Sequence, residues 1–219
     1  MNELDSRQEI CRIGASLYAR GYVHASAGNI SVKLNDGSFL ITPTDACLGN
    51  LLASELAHVS AEGEQLSGAR ASKTLALHRS IYDASSQAHC VIHTHATHLV
   101  SLTLQGVWRT SDIVPPITPY YVMKVGHIPL VPYQRPGAPE VAAEVASLIA
   151  ESNTQHMPLR GVMLERLGPV VWHQTPAEAS AVLEELEETA KLWLMSARQA
   201  SALSETQINE LRERFGALW

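Results

Sequence analysis

Apolar residues recur at helical spacing near the start of the chain. Ile10, Ile13 and Leu17 fall on one face of residues 3–20, and Gly21 follows as a stop. The period then shortens. Ile30, Val32 and Leu34 alternate with polar positions, Asn35-Asp36-Gly37 supplies a hairpin turn, and Phe39-Leu40-Ile41 returns as a second strand. That strand runs into a loop, Thr42-Pro43-Thr44-Asp45. Ser72 to Ser85 predicts a helix with Ser72 as its N-cap, and Cys90 to His95 predicts a strand. Prolines 115, 116, 119, 129, 132, 136 and 139 make the next region irregular, with short apolar runs between them as candidate strands. A helix is expected at about 139–151, then two short strands around Gly168-Pro169 within Gly161 to Trp172. The next helix has a clear start, with Thr175 as N-cap, Pro176 at the first position and Glu178 completing a capping box. Leu183, Leu186, Ala190 and Trp193/Leu194 form its apolar face, while Glu184, Glu185, Glu187 and Glu188 read as a solvated face. Ser204 and Gln207 open a last helix, ending at Gly216, with Ile208, Leu211 and Phe215 as its buried stripe. With no internal repeat and no linker, the pattern predicts one α/β domain over 1–219 with a C-terminal helical segment at about 175–219.

Composition narrows the function classes. The chain has 219 residues, 46% hydrophobic and 17% charged, which provides for a buried core and excludes disorder. Its formal charge of -6, with no dense Lys/Arg cluster, argues against a nucleic-acid partner. Cys11, Cys47 and Cys90 are an odd, widely spaced set, which fits a reduced cytoplasmic protein better than a disulfide scaffold. The polar, acidic start is no signal peptide. The least charged stretch, Ala88 to Trp108, carries four histidines and would be a poor membrane span.

Histidine is where chemistry first enters. His93 and His95 lie two residues apart on a predicted strand, so both imidazoles point to one face, a good geometry for zinc. Pattern alone leaves a metal pair and a packing pair equally open. His89 and His98 flank the pair and read as surface or packing residues. Gly28-Asn29 offers close backbone approach and an amide donor. Thr42-Pro43-Thr44 offers hydroxyls after a strand. Ser72-Lys73-Thr74 offers helix-start amides, two hydroxyls and an ammonium group, all suited to phosphate or carboxylate. Each is also ordinary turn or capping chemistry when taken singly.

Together and in this order, these segments resemble the class II aldolase/adducin family. The matching stretches are SAGNIS at 26–31, LITPT at 40–44, ASKTLALHRSIY at 71–82 and VIHTH at 91–95. They continue through YYVMKVGHIPLVPY at 120–133, VMLERLGPVVW at 162–172 and the helix from Thr175. SKTLALH and LGPVVW are most similar to the family's 3-oxo-tetronate 4-phosphate decarboxylases. The resemblance implies a three-layer α/β/α fold around a mostly antiparallel sheet. It also implies a homotetramer with sites between subunits, Tyr120 and Tyr121 being candidates to reach across. It further implies a divalent metal, zinc first with manganese or cobalt as alternatives, on His93, His95 and a third histidine. Asn29, Thr44 and Ser72 match phosphate-contacting positions, with Gly28 shaping the first loop.

Three departures shape the expected reaction. Leu167 occupies the third-ligand position, so the third ligand is left open between His156, His173 and water. Thr74 stands where the family carries its acid/base glutamate. Asp45 follows Thr44 where aldolases often carry glycine. Aldol cleavage needs a base for the hydroxyl proton, whereas decarboxylation of a β-keto acid does not. Decarboxylation of 3-oxo-tetronate 4-phosphate to dihydroxyacetone phosphate is therefore the expected activity, with Lys73 binding the substrate anion. The alternatives are an aldolase cleaving a sugar phosphate or hydroxy-keto acid, and a non-catalytic adducin-like interaction protein.

Overall fold

The computed structural model describes residues 2–219. Among them, eight strands build one sheet: β1 (Asn29–Lys33), β2 (Phe39–Ile41), β3 (Ala57–Val59), β4 (Gln65–Ser67), β5 (Cys90–His93), β6 (Leu130–Val131), β7 (Gly161–Leu164) and β8 (Gly168–His173). Their spatial order is β4-β3-β2-β1-β5-β8-β7-β6. The sheet is mixed: β6 and β7 pair in parallel, and the other neighbours pair antiparallel.

Six α-helices flank the sheet: α1 (Glu3–Ala19), α2 (Leu75–Ala84), α3 (Thr97–Gln105), α4 (Pro139–Thr154), α5 (Pro176–Met195) and α6 (Glu205–Phe215). Strand alternation sends successive side chains to opposite layers. Cys90 and Ile92 of β5 join a core with Ile10, Ile13 and Leu17 of α1, Leu99 and Leu102 of α3, and Leu183 and Leu186 of α5. Val91, between them, faces Ile81 and Tyr82 of α2 and Val145 and Ile149 of α4. Each fully buried Ile or Leu here contributes roughly 1.5–3 kcal/mol.

The capping signals read from sequence are present. Thr175 accepts from the Glu178 amide at 3.2 Å, and Ser204 and Gln207 form a reciprocal capping box. Other expectations need correction. The helix expected from Ser72 begins at Leu75, with Thr74 at the N-cap position and making no side-chain cap bond. Residues 71–72 are instead held extended, because Ala71 bridges Pro43 and the Ser72 amide donates to the Thr42 carbonyl at 3.3 Å. The predicted strand stops at His93, leaving His95 just beyond it. Phe215 is 64% exposed, so the buried stripe of α6 narrows to Ile208.

Three elements escape the sequence pattern. Strands β3 and β4 are short and partly polar. Helix α3 starts at Thr97 behind Ala96, which cannot cap it. Its cap comes from α5: Glu187 accepts the amides of His98 at 3.0 Å and Leu99 at 3.1 Å, and sits 2.7 Å from His98 Nδ1. Glu187 is therefore buried rather than solvated, a carboxylate placed where helix amides point. The proline-rich region holds one π-helical turn, Tyr121–Val125, and strand β6. No helix among the described residues is long and apolar enough to cross a membrane.

Candidate active site

The ladder β1–β5–β8 places the central imidazole. Asn29 pairs with His93 across β1 and β5, and His93 pairs with Val170 across β5 and β8. His93 is buried, and its Nδ1 donates to the Pro169 carbonyl at 2.9 Å. That bond leaves Nε2 as the free lone pair. Burial, then the neighbouring His95, pushes His93 down to about 4, against the opposing effect of the Pro169 bond. His95 is lowered too, by burial and then by His24. Both rings are thus neutral near pH 7, with centroids 5.1 Å apart.

Two glycines let the backbone close around this point. A Cβ on Gly28, at φ +83°, would meet the His93 carbonyl oxygen at 2.8 Å. A Cβ on Gly168, at φ +141°, would meet the Thr94 carbonyl oxygen at 2.0 Å. Any side chain at either position would push the end of β5 out of place.

The loops expected to bind an anion line the same cavity. The Ile30 amide donates to Thr42 Oγ1 at 3.2 Å, and the Thr44 amide donates to the Arg70 carbonyl at 2.9 Å. Ser72 Oγ and Thr74 Oγ1 lie 2.9 Å apart, ahead of α2. A cavity of about 510 Å³ is lined by Gly28, Asn29, Thr44, Asp45, Ser72, Lys73, Thr74, His93, His95 and Leu167. The proposed phosphate loops and the histidine pair therefore share one space. A second cavity of about 530 Å³, beside Asp112 and His127, contains none of these residues.

Other candidates lie elsewhere. His173 pairs with Cys90 at the opposite end of β5, roughly 10 Å along the ladder from His93, and its Nδ1 bonds Glu178 at 3.0 Å. His156 follows α4 and does not line the cavity. Neither supplies a third ligand. Tyr121 is fully buried against Trp219, with ring centroids 5.5 Å apart, so it does not reach outward. Tyr120 is 59% exposed and lies outside this cavity in its own chain.

Sequence reasoning passed over several residues that the fold brings in. Arg135 and Glu165 line the cavity. His24 approaches His95, with centroids 6.2 Å apart. His78 lies at the cavity floor, fully buried, with Nδ1 2.7 Å from Ser31 Oγ, which lies 2.6 Å from Tyr82 Oη. Burial, then His93, pushes His78 down to about 3. The buried atoms Asn29 Oδ1 and His78 Nε2 have no partner within the chain. The spacing of His78, one helical turn beyond Thr74, was the available signal.

A family model described as Class II Aldolase and Adducin N-terminal domain matches residues 8–194. The chain belongs to this family. A 3-oxo-tetronate 4-phosphate decarboxylase of Cupriavidus necator is 58% identical to it over 97% of each chain. One from Escherichia coli K12 is 42% identical over 96% of each. An L-fuculose phosphate aldolase of Methanocaldococcus jannaschii is 31% identical over 88% of this chain and 97% of its own. A crystal structure from Escherichia coli, described as an aldolase/epimerase/decarboxylase, matches with a TM-score of 0.88 at 41% identity, covering 96% of this chain and 99% of the other.

The class II aldolase frame makes the local chemistry specific. Two neutral imidazoles with free lone pairs suit a divalent cation, but among the described residues no group of three His, Cys, Asp or Glu is placed to hold one. Leu167, a cavity-lining residue, contributes only hydrocarbon. Protein zinc sites normally supply three or four ligands. Leu167→His should therefore tighten zinc binding by more than tenfold in titration calorimetry; equal affinities for the two proteins would show that the site is already complete.

His78 gives a second prediction. Its ordinary value is 6.5 and its folded value is about 3, so below pH 6.5 the unfolded chain binds a proton that the folded chain refuses. Stability is then lost as pH falls, by up to about 1.4 kcal/mol per pH unit from this group. Urea midpoints measured from pH 7.5 to 4.5 should fall less steeply for His78→Gln than for the unaltered chain. Parallel slopes would contradict the buried neutral imidazole.

Proposed function

We propose that the chain is a carbon–carbon lyase that decarboxylates 3-oxo-tetronate 4-phosphate to dihydroxyacetone phosphate. The observation that carries this reading is one cavity holding neutral His93 and His95 beside three anion-suited segments, with Thr74 where an aldolase-type base would stand. The names of its 58% and 42% identical relatives point the same way. In this reading Asn29, Thr44, Ser72 and Lys73 hold the phosphate, Gly28 shaping the first loop, and Asp45 lines the same cavity. The C1–C2 bond breaks, its electron pair moves into the C2–C3 bond and onto the C3 oxygen, and carbon dioxide leaves. C2 then takes a proton, giving the hydroxymethyl ketone. No base is required for the cleavage, because the departing carboxylate is already ionised.

His93 and His95 would hold a divalent cation, zinc first with manganese and cobalt as alternatives. Such a cation supplies Lewis-acid stabilisation of charge developing on a substrate oxygen. The imidazoles themselves are fixed and neutral, and the Pro169 bond orients the His93 ring. The hydroxyl of Thr74, 2.9 Å from that of Ser72 before α2, is available to orient a proton-donating water. We further propose a homotetramer in the cytoplasm, with the exposed Tyr120 reaching a neighbouring subunit's site and the three free cysteines suiting a reducing compartment.

An assay with the purified chain distinguishes the readings. The expected outcome is one carbon dioxide per dihydroxyacetone phosphate, and a loss of at least about 100-fold in kcat/KM for His93→Ala without a change in far-UV circular dichroism. Cleavage of a sugar phosphate without carbon dioxide release would favour the aldolase. No turnover with zinc, manganese or cobalt would favour the non-catalytic interaction protein.

A further inference from the structure

The cavity contains two side chains with a fixed positive charge, Lys73 and Arg135. Lys73 stands between Ser72 and Thr74, within the segment assigned to phosphate. Arg135 comes from a different element, the loop of residues 132–138 that links β6 to α4. Its backbone is fixed on both sides by Pro132 and Pro136, and its carbonyl accepts the Ala138 amide at 3.0 Å just before α4 begins at Pro139.

Among the described residues, Arg135 forms no ion pair. Two carboxylates line the same cavity, and neither neutralises it. Glu165 accepts the Tyr133 amide at 2.9 Å, and Asp45 sits exposed on its own turn at φ +59°. A keto-acid phosphate carries two anions, a phosphate and a carboxylate. Hydroxyls, an amide and Lys73 are available for the first, and Arg135 is the remaining cationic side chain for the second. A guanidinium presents a planar fork of donors that matches a carboxylate with two parallel hydrogen bonds. Proline on both sides of the loop limits the entropy lost when it binds.

On the decarboxylase reading, we propose that Arg135 binds the substrate's carboxylate and so selects keto-acid phosphates over sugar phosphates. The role is one of ground-state binding. The carboxylate loses its charge as carbon dioxide departs, so the contact weakens along the reaction. Removing it should raise KM and leave kcat unreduced.

The test is calorimetric binding of two stable probes. Erythronate 4-phosphate carries both anions but has a hydroxyl in place of the ketone and cannot decarboxylate; dihydroxyacetone phosphate carries the phosphate alone. Arg135→Met should weaken erythronate 4-phosphate by about 30-fold and dihydroxyacetone phosphate by less than about twofold, with Arg135→Lys in between. Lys73→Met should weaken both. In turnover, Arg135→Met should raise KM at least about tenfold with kcat unreduced. If Arg135→Met weakens both probes alike, the residue holds phosphate; if it weakens neither, it is a solvated surface arginine; either result overturns the proposal alone. Failure of the unaltered chain to bind either probe would overturn the decarboxylase reading and this inference with it.

Discussion

Asn29 stands opposite His93 in the β1–β5 ladder, and the layout of the cavity depends on that register. A one-residue slip would turn His93 toward the opposite layer of the sheet and replace it with a core residue. The register is held from both sides. The Pro169 carbonyl takes the His93 Nδ1 proton, and two glycines, Gly28 and Gly168, allow neighbouring backbones to close on β5 where no Cβ would fit. Two residues along β1 from Asn29, on the same face, Ser31 bonds His78, and through it α2 is tied to the same strand. The segment just before α2 carries Ser72, Lys73 and Thr74. One strand therefore fixes the separation between the His93 imidazole and the segments at 28–29 and 72–74.

This arrangement has electrostatic consequences. Burying His78 and His93, and half-burying His95, favours their neutral forms. Without a bound cation the imidazole floor carries no charge, and the cationic side chains lining the cavity are Lys73 and Arg135. The departures at Thr74 and Leu167 act in the same direction. On the proposed reading, threonine at 74 supplies no carboxylate where an aldolase-type base would stand, and leucine at 167 supplies no metal ligand. A β-keto acid makes smaller demands, because its leaving group is already ionised and its ketone is already in place to take the electron pair.

Much of the fold was legible because its signals are local. Helices α1, α5 and α6 announce themselves through apolar period and caps, and the β1–β2 hairpin through Asn35-Asp36-Gly37. That the histidine pair and the segments at 28–29, 44–45 and 72–74 belong together was also readable, since each is a short motif, and they line one cavity. What escaped depends on distant partners. Helix α3 is capped by Glu187, almost ninety positions away, and the glutamate is buried for the same reason. The start of α2 is delayed because residues 71–72 pair with the loop at 42–44. Arg135 and Glu165 enter the cavity only because β6 and β7 lie side by side. Tyr121 looked like a partner for a neighbouring subunit, yet its ring is spent in its own core beside Trp219. No local periodicity encodes any of these.

The central claim is that the neutral cavity around His93 governs both loss of carbon dioxide and delivery of the replacing proton. β-Keto acids also lose carbon dioxide unaided, so a rate alone is not the sharpest test. Running the reaction in deuterium oxide is. The account predicts dihydroxyacetone phosphate with one deuterium on the hydroxymethyl carbon, in a single stereochemical sense, formed far faster than without protein. Equal amounts of the two stereochemical forms, made at the protein-free rate, would contradict it.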